Sequence, residues 1–198
     1  MDKLIIFGAG QQGRNCLNLA RRLGIEVVAF VDDYVFGMVD GVLVYRDLRD
    51  VEKYKQCKAI VAVGDLGVRQ QWIDVIEQEG IEPLTLIDPS AQIEEGAKIG
   101  KGNYIYKLVS VYASSKIGDH NIINTGAVLA TDCVIGDNCN ICFGSNICGA
   151  VEVGDNSIIG YNASVASGFK VGHDAIVEAN SVVYRNVADF EHVGGVVK

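Results

Sequence analysis

The sequence predicts an α/β unit over residues 1–84 followed by an all-β parallel coil over 85–198, and three regularities carry that prediction. The first is a ladder: counted in sixes from Ile87, every position is aliphatic, through Ile93, Ile99, Ile105, Val111, Ile117, Ile123, Leu129, Ile135, Ile141, Ile147, Val153, Ile159, Val165, Val171, Val177 and Val183. Helical positions recur at about 3.6 residues and strand faces alternate with period two. A sustained six therefore means one short strand per hexapeptide, with the aliphatic residue pointing into a prism-shaped core. The second is a glycine after the aliphatic at Gly100, Gly118, Gly136, Gly154 and Gly172, one every eighteen residues, which makes three faces per coil. The third is the opening stretch LIIFGAGQQGRN, an apolar strand running through a glycine turn into a helix.

In the first unit, Leu4 to Phe7 form the strand, and Gly8, Gly10 and Gly13 follow in G-x-G-x-x-G spacing. Leu17, Ala20 and Leu23 recur at helical intervals before Gly24 ends the helix. A second strand, Glu26 to Val31, ends in Asp32 and Asp33. Glycines bring main-chain N–H groups close to a phosphate at a helix start, and an acidic residue about twenty positions later meets ribose hydroxyls. Lys58 to Val63 predict a third strand, followed by Gly64, Asp65 and Gly67 and a helix over Val68 to Gln78. Leu84 to Ile87 predict a strand that feeds the coil, and the two prolines, Pro83 and Pro89, bracket that junction. The unit is too short for both halves of a dinucleotide fold, so a mononucleotide or nucleotide-sugar fits it better than NAD.

Composition narrows the function classes. The formal charge of −8 argues against nucleic acid and anionic membranes, which need basic patches. No run approaches the roughly eighteen apolar residues of a membrane span, and the first residues do not read as a signal peptide, so the expected location is the cytoplasm. Four of the six cysteines are explained by the repeat. Cys133 and Cys139 fall in an inward slot that otherwise takes mostly small residues, while Cys142 and Cys148 fall in the outward slot after the aliphatic. Cys139 and Cys142 then point to opposite sides of one wall, poor geometry for zinc or a disulfide, and no metal is expected.

Taken together, IIFGAGQQG, FVDD, VAVGD-x-x-x-R ending at Arg69, IDPSA, INTGAV and DCVIGD resemble the bacterial two-domain sugar O- and N-acetyltransferases. These comprise the sialic-acid O-acetyltransferase-like group and the UDP-4-amino-sugar N-acetyltransferases, and the likeness spans essentially the whole chain. The resemblance implies a left-handed β-helix, a hand that runs against the right-handed crossover rule. It also implies a homotrimer with acetyl-CoA between neighbouring coils and a nucleotide-linked sugar (UDP- or dTDP-amino-sugar) on the first unit. Expected sugar-nucleotide contacts are Gly8, Gly10, Gln11, Gln12, Gly13, Asp32, Asp33, Gly64, Asp65 and Arg69. Expected acetyl-CoA contacts are Gly149, Ala166, Ala179 and Lys170.

One departure stands out. The family's base is a His in E-H-[DE]-C-V-I-G, preceded by an Asn in I/L-N-T. Here Asn124 and the acidic neighbour Asp132 are present, but Thr131 stands where the His belongs. A second family His is replaced by Asn140, and Gln12 takes the place of a common His in the glycine loop. Threonine has no pKa near neutrality and cannot act as a general base. His120, on a different corner, could serve only from a neighbouring subunit, and its plainer reading is a solvated turn histidine. His173 and His192 read the same way. The expected activity is acetyl transfer to an amino or hydroxyl group of a nucleotide-linked sugar. The rival is a catalytically impaired member that binds nucleotide-sugar as a regulatory or structural trimer.

Overall fold

The structure is a computed structural model that describes residues 3–198, so Met1 and Asp2, which open the expected first unit, lie outside the described residues. The chain divides into two compact units, Met1–Leu86 and Ile87–Lys198. The first contains β1 (Lys3–Phe7), α1 (Gln11–Arg22), β2 (Glu26–Val31), β3 (Gly37–Val39), β4 (Val42–Tyr45), β5 (Lys58–Val61) and α2 (Leu66–Gln78). Its sheet order is β3-β4-β2-β1-β5, parallel except for the β3–β4 pair. Leu4, Ile5, Ile6 and Phe7 are all fully buried, as expected of a central strand covered on both faces. Ile5, Phe7, Ala29, Val31, Ala59 and Val61 pack with Ile73 and Ile76 of α2. On the other face α1 packs on β1 and β2 and buries Cys16, Leu17 and Ala20.

The β3–β4 hairpin is absent from the sequence expectation, although its signal was present. Asp40 and Gly41 both take positive φ, 48° and 83°, the two-residue Asp-Gly turn whose twist suits a hairpin. The expected third strand ends at Val61 rather than Val63. The second helix starts at Leu66 because the Asp65 carboxylate caps it, accepting from the Val68 N–H at 2.9 Å. The strand before the coil shrinks to Leu86–Ile87.

The second unit is a parallel coil with three faces of two-residue strands. The first face runs from Leu86–Ile87 to His192–Val193, the second from Gln92–Ile93 to Val196–Val197, and the third from Lys98–Ile99 to Lys170–Val171. Residues eighteen apart pair, as in Val111 with Leu129, Ile117 with Ile135 and Ile123 with Ile141. From Ile105 to Val183 every ladder residue is at most 4% exposed, each stabilising the coil by roughly 1.5–3 kcal/mol relative to an exposed side chain. Ile87, Ile93 and Ile99 are partly exposed.

Each face ends in a corner, named first, second or third after the face it follows. At the third corner the carboxylates of Asp119, Asp137 and Asp155 accept from the N–H of Lys101, Asp119 and Asp137, one coil earlier. A Cβ at Gly100, Gly118 or Gly136 would collide with those carboxylates, which explains the eighteen-residue glycine beat. The inward slot also needs a correction. Ser115, Cys133, Cys139, Ser145, Ser157, Ala163 and Ala175 fill it as small buried residues, but Asn103 and Asn121 share it at the third corner and are fully buried. They fit because their amides bridge coils (Asn121 Nδ2 to the Gly136 carbonyl at 2.9 Å, and the Cys139 N–H to Asn121 Oδ1 at 2.7 Å).

The ladder continues past Val183 with shortened turns. Val187 bridges Val171, His192–Val193 pairs with Ile176–Val177, and Val196–Val197 pairs with Val182–Val183. Side chains fasten this last coil. Arg185 makes a bidentate pair with Glu191, at 3.0 and 2.7 Å. His173 lies between Asp174 (Nδ1, 2.8 Å) and Asp189 (Nε2, 3.0 Å). The hydrogen bond to Asp174, then the charges of Asp189, Asp174 and Asp155, raise the His173 pKa above 6.5. Its contribution is therefore full below that unfolded value and is lost as pH rises through the folded one. Glu191 runs the other way. The Arg185 hydrogen bond, aided by the Ala188 N–H, lowers it from 4.5 to about 2, so its contribution is present above 4.5 and is lost as pH falls toward about 2. The stability gap between the native chain and His173→Gln should shrink as thermal melts move from pH 5.5 to pH 8.5. For Glu191→Gln it should shrink as pH falls below 4. A gap independent of pH in either series would show that the fastening is not ionic.

Candidate functional site

In the first unit, the candidate site is the C-terminal edge of the parallel strands, where α/β sheets commonly bind ligands. The glycine loop is held tightly. The Gly8 N–H donates to the Val31 carbonyl at 2.8 Å. A Cβ at Gly13 would overlap the Gly8 carbonyl oxygen and lie 3.3 Å from the Phe30 ring, so α1 can start this close to the loop only with glycine there. Gly10 is the N-cap of α1 and provides no side-chain cap, and the first turn carries no acidic residue. Gln11 is exposed and Gln12 half-buried beside it. This helix start suits an anionic ligand group.

The two aspartates divide the work. Asp32 Oδ2 accepts from the Ala9 N–H at 2.7 Å, and Oδ1 accepts from the N–H groups of Tyr34 and Val35 at 2.8 and 2.9 Å. Its carboxylate thus ties the glycine loop to the segment after β2, while Asp33 is exposed at the same edge. Gly64 is exposed after β5, and Asp65 caps α2. Arg69 requires a correction: it is fully buried and donates to the Val63 carbonyl at 3.2 Å. It supports the loop from inside and does not present its guanidinium to a ligand.

In the coil, the residues expected at the acetyl-transfer site separate onto different corners. The second corner gathers Thr131 and Asp132, then Gly149 one coil on and Ala166 in the coil after that. Thr131 and Asp132 are exposed, and among the described residues their side chains have no hydrogen-bond partner. The Thr131 carbonyl accepts from Ala150 at 3.0 Å, and the Asp132 N–H donates to Ala113 at 3.2 Å. The Gly149 N–H makes no hydrogen bond among the described residues, and the residue is half-buried. Asn124 lies at the first corner, 7% exposed, its amide donating to the Ile141 carbonyl at 3.2 Å. Ala179 is exposed two residues after a ladder position of that same corner. Thr131 and Asn124 therefore flank one strand of the second face, Val128–Leu129.

His120 occupies the third corner and is only 8% exposed, its ring packed against Gly102 of the preceding coil. This overturns its reading as a solvated turn histidine. Lys170 opens a strand of the third face and pairs with Glu152 at 2.7 Å. His173 and His192 are exposed, as expected, but each lies against carboxylates, His173 between Asp174 and Asp189 and His192 with Nε2 3.1 Å from Glu178. Burial pushes the Cys142 thiol up to about 11, so it stays protonated near neutrality and is a poor nucleophile. Among the described residues, no group of three or more His, Cys, Asp or Glu is placed to hold a metal, and no helix is long and apolar enough to cross a membrane.

Comparison with known proteins follows this division. Residues 3–76 match the PglD N-terminal domain family, residues 114–149 the bacterial transferase hexapeptide (six repeats), and residues 150–185 the hexapeptide repeat of succinyl-transferase. No curated protein sequence matches the chain significantly. Among solved structures, a His-to-Asn mutant of perosamine N-acetyltransferase from Caulobacter crescentus, in complex with CoA and GDP-perosamine, is 32% identical with a TM-score of 0.92. That match covers 98% of this chain and 94% of the other. The acetyltransferase domain of PglB from Neisseria gonorrhoeae, in complex with acetyl coenzyme A, is 31% identical with a TM-score of 0.91, covering 98% and 96%. WeeI from Acinetobacter baumannii shares the fold at 24% identity, with a TM-score of 0.90 and 98% and 97% coverage.

Proposed function

The chain belongs to the two-domain hexapeptide-repeat sugar acetyltransferases, and from that premise we propose that it moves acetyl from acetyl-CoA to an amino group of a nucleotide-linked sugar. The observation that carries the choice of nitrogen is the second corner, where Thr131, Asp132 and Gly149 gather without an imidazole. A hydroxyl acceptor must lose its proton as it attacks, which calls for a base. A neutral amine attacks first and loses its proton afterwards. The nitrogen lone pair forms the C–N bond at the thioester carbon, and the oxyanion takes hydrogen bonds from main-chain donors of the Gly149 kind. Collapse expels the CoA thiolate, which takes up the proton shed by nitrogen. Support for acetyl-CoA and a nucleotide-sugar comes from the ligands of the Neisseria and Caulobacter proteins. The Caulobacter mutant is in complex with both CoA and GDP-perosamine despite the loss of a histidine.

A homotrimer completes the proposal. The exposed large apolar side chains of the coil concentrate on the two corners that flank the second face. Leu108, Phe143 and Tyr161 lie on the first corner, Tyr112 and Tyr184 on the second, and Val196 on the face between them. A three-fold arrangement with that face toward the axis buries both flanks and sets the Thr131 corner of one subunit beside the Asn124 corner of the next. The expected mass in sedimentation equilibrium is three chains.

The activity is tested by thiol release from acetyl-CoA over a panel of UDP-, dTDP- and GDP-linked amino-sugars and their hydroxyl counterparts. Turnover confined to amino-sugars is the expected result. Measurable nucleotide-sugar binding with no CoA release from any acceptor would establish the rival, a binding trimer without catalysis.

A further inference from the structure

Resting on the reading of the first unit as the holder of the nucleotide-linked sugar, we propose that Tyr34, with Phe36 beside it, is the seat of the nucleobase and that the base is recognised by stacking. The sheet order β3-β4-β2-β1-β5 sets three segments side by side at one edge: the glycine loop after β1, residues 33–36 after β2 and Arg46 after β4. A nucleotide with its phosphates at the start of α1 and its ribose at Asp33 directs its base away from β1, over the segment that leaves β2 toward β4.

That segment carries aromatic surface with no core to cover. The Tyr34 ring is 85% exposed and Phe36 is 55% exposed. The backbone beneath Tyr34 is fixed, because Asp32 Oδ1 holds both the Tyr34 and the Val35 N–H. Phe36 is held as well, with the Arg46 guanidinium 4.1 Å from its ring centre, a cation–π contact that leaves the other ring face open. An exposed aromatic on a fixed backbone, next to seats for phosphate and ribose, matches a base better than it matches a protein partner. Met38 and Leu43 continue the apolar surface along the hairpin, so a protein partner is the outcome the test must separate. Stacking tolerates any base, since each presents a π-face. Purine and pyrimidine nucleoside diphosphates should therefore both bind, the larger purine more tightly.

The test is calorimetry with GDP, UDP and inorganic pyrophosphate on the full chain. Tyr34→Ala should weaken GDP about tenfold, Tyr34→Phe should stay within about twofold of the native chain, and pyrophosphate affinity should not change in either. In NMR spectra the H8 proton of GDP should shift upfield on binding the native chain and Tyr34→Phe, but not Tyr34→Ala. Equal GDP affinity in the native chain and Tyr34→Ala overturns the stacking seat while leaving the nucleotide-sugar reading intact, and assigns the exposed aromatics to a protein contact. Failure of the native chain to bind any nucleoside diphosphate overturns both.

Discussion

Thr131→His is expected to raise the rate of acetyl transfer by about a hundredfold. General-base catalysis contributes typically 10²–10⁴-fold, and an amine acceptor needs less of it than a hydroxyl, so the low end applies. The site can receive the ring. Thr131 is an exposed corner residue and Asp132 follows it with φ +62°, so the substitution adds volume outside the prism and leaves the inward Cys133 undisturbed. The rate should also acquire a limb near the ordinary histidine pKa of about 6.5, rising as the ring deprotonates, which a purely structural effect of the substitution would not produce. The control is Thr131→Val, which alters the corner without supplying a base and should leave the rate within about twofold. No gain from Thr131→His, with both ligands still binding, would mean that the acceptor or acetyl-CoA groove has also changed, and would favour the non-catalytic trimer.

Asn121→Ala should cost the coil about 3–5 kcal/mol. The removed amide leaves the Gly136 carbonyl and the Cys139 N–H without their partners, and each stranded group costs about 1–3 kcal/mol. The vacated space adds to that loss. A surface corner such as Asn162, which is exposed and has positive φ, should change stability far less on mutation to Gly. Chemical denaturation followed by circular dichroism measures both. A loss below 1 kcal/mol for Asn121→Ala would show that water replaces the amide and that the inter-coil bridge is dispensable.

The residues that were legible and those that were not differ in what determines them. The ladder was readable because burial of Ile105 to Val183 inside the prism depends on a one-dimensional period. The end of α1 was readable because a glycine just past a helix, here Gly24 with φ 72°, is a local signal. Asn103 and Asn121 were not recognised as core residues, since an amide looks polar until its partners one coil away are known. His120 read as solvated for the same reason, because its cover is Gly102, eighteen residues back. Arg69 was expected as a ligand contact because the resemblance through VAVGD-x-x-x-R implied it, yet the fold encloses it. The β3–β4 hairpin was missed although Asp40-Gly41 announced it, since its flanking strands are short and exposed Met38 and Leu43 blur the alternation.

By itself, the sequence determined the α/β-then-coil order and the three faces, because these depend on periodicity and residue identity along the chain, while the expectation of a base at Thr131 came from the family resemblance alone. Only the tertiary structure decided which groups are available. It buried His120 and Arg69, made Asp32 a tie between two loops and left Tyr34 open. The physical reason is that availability is set by neighbours one coil or one strand away, and sequence separation does not report that distance.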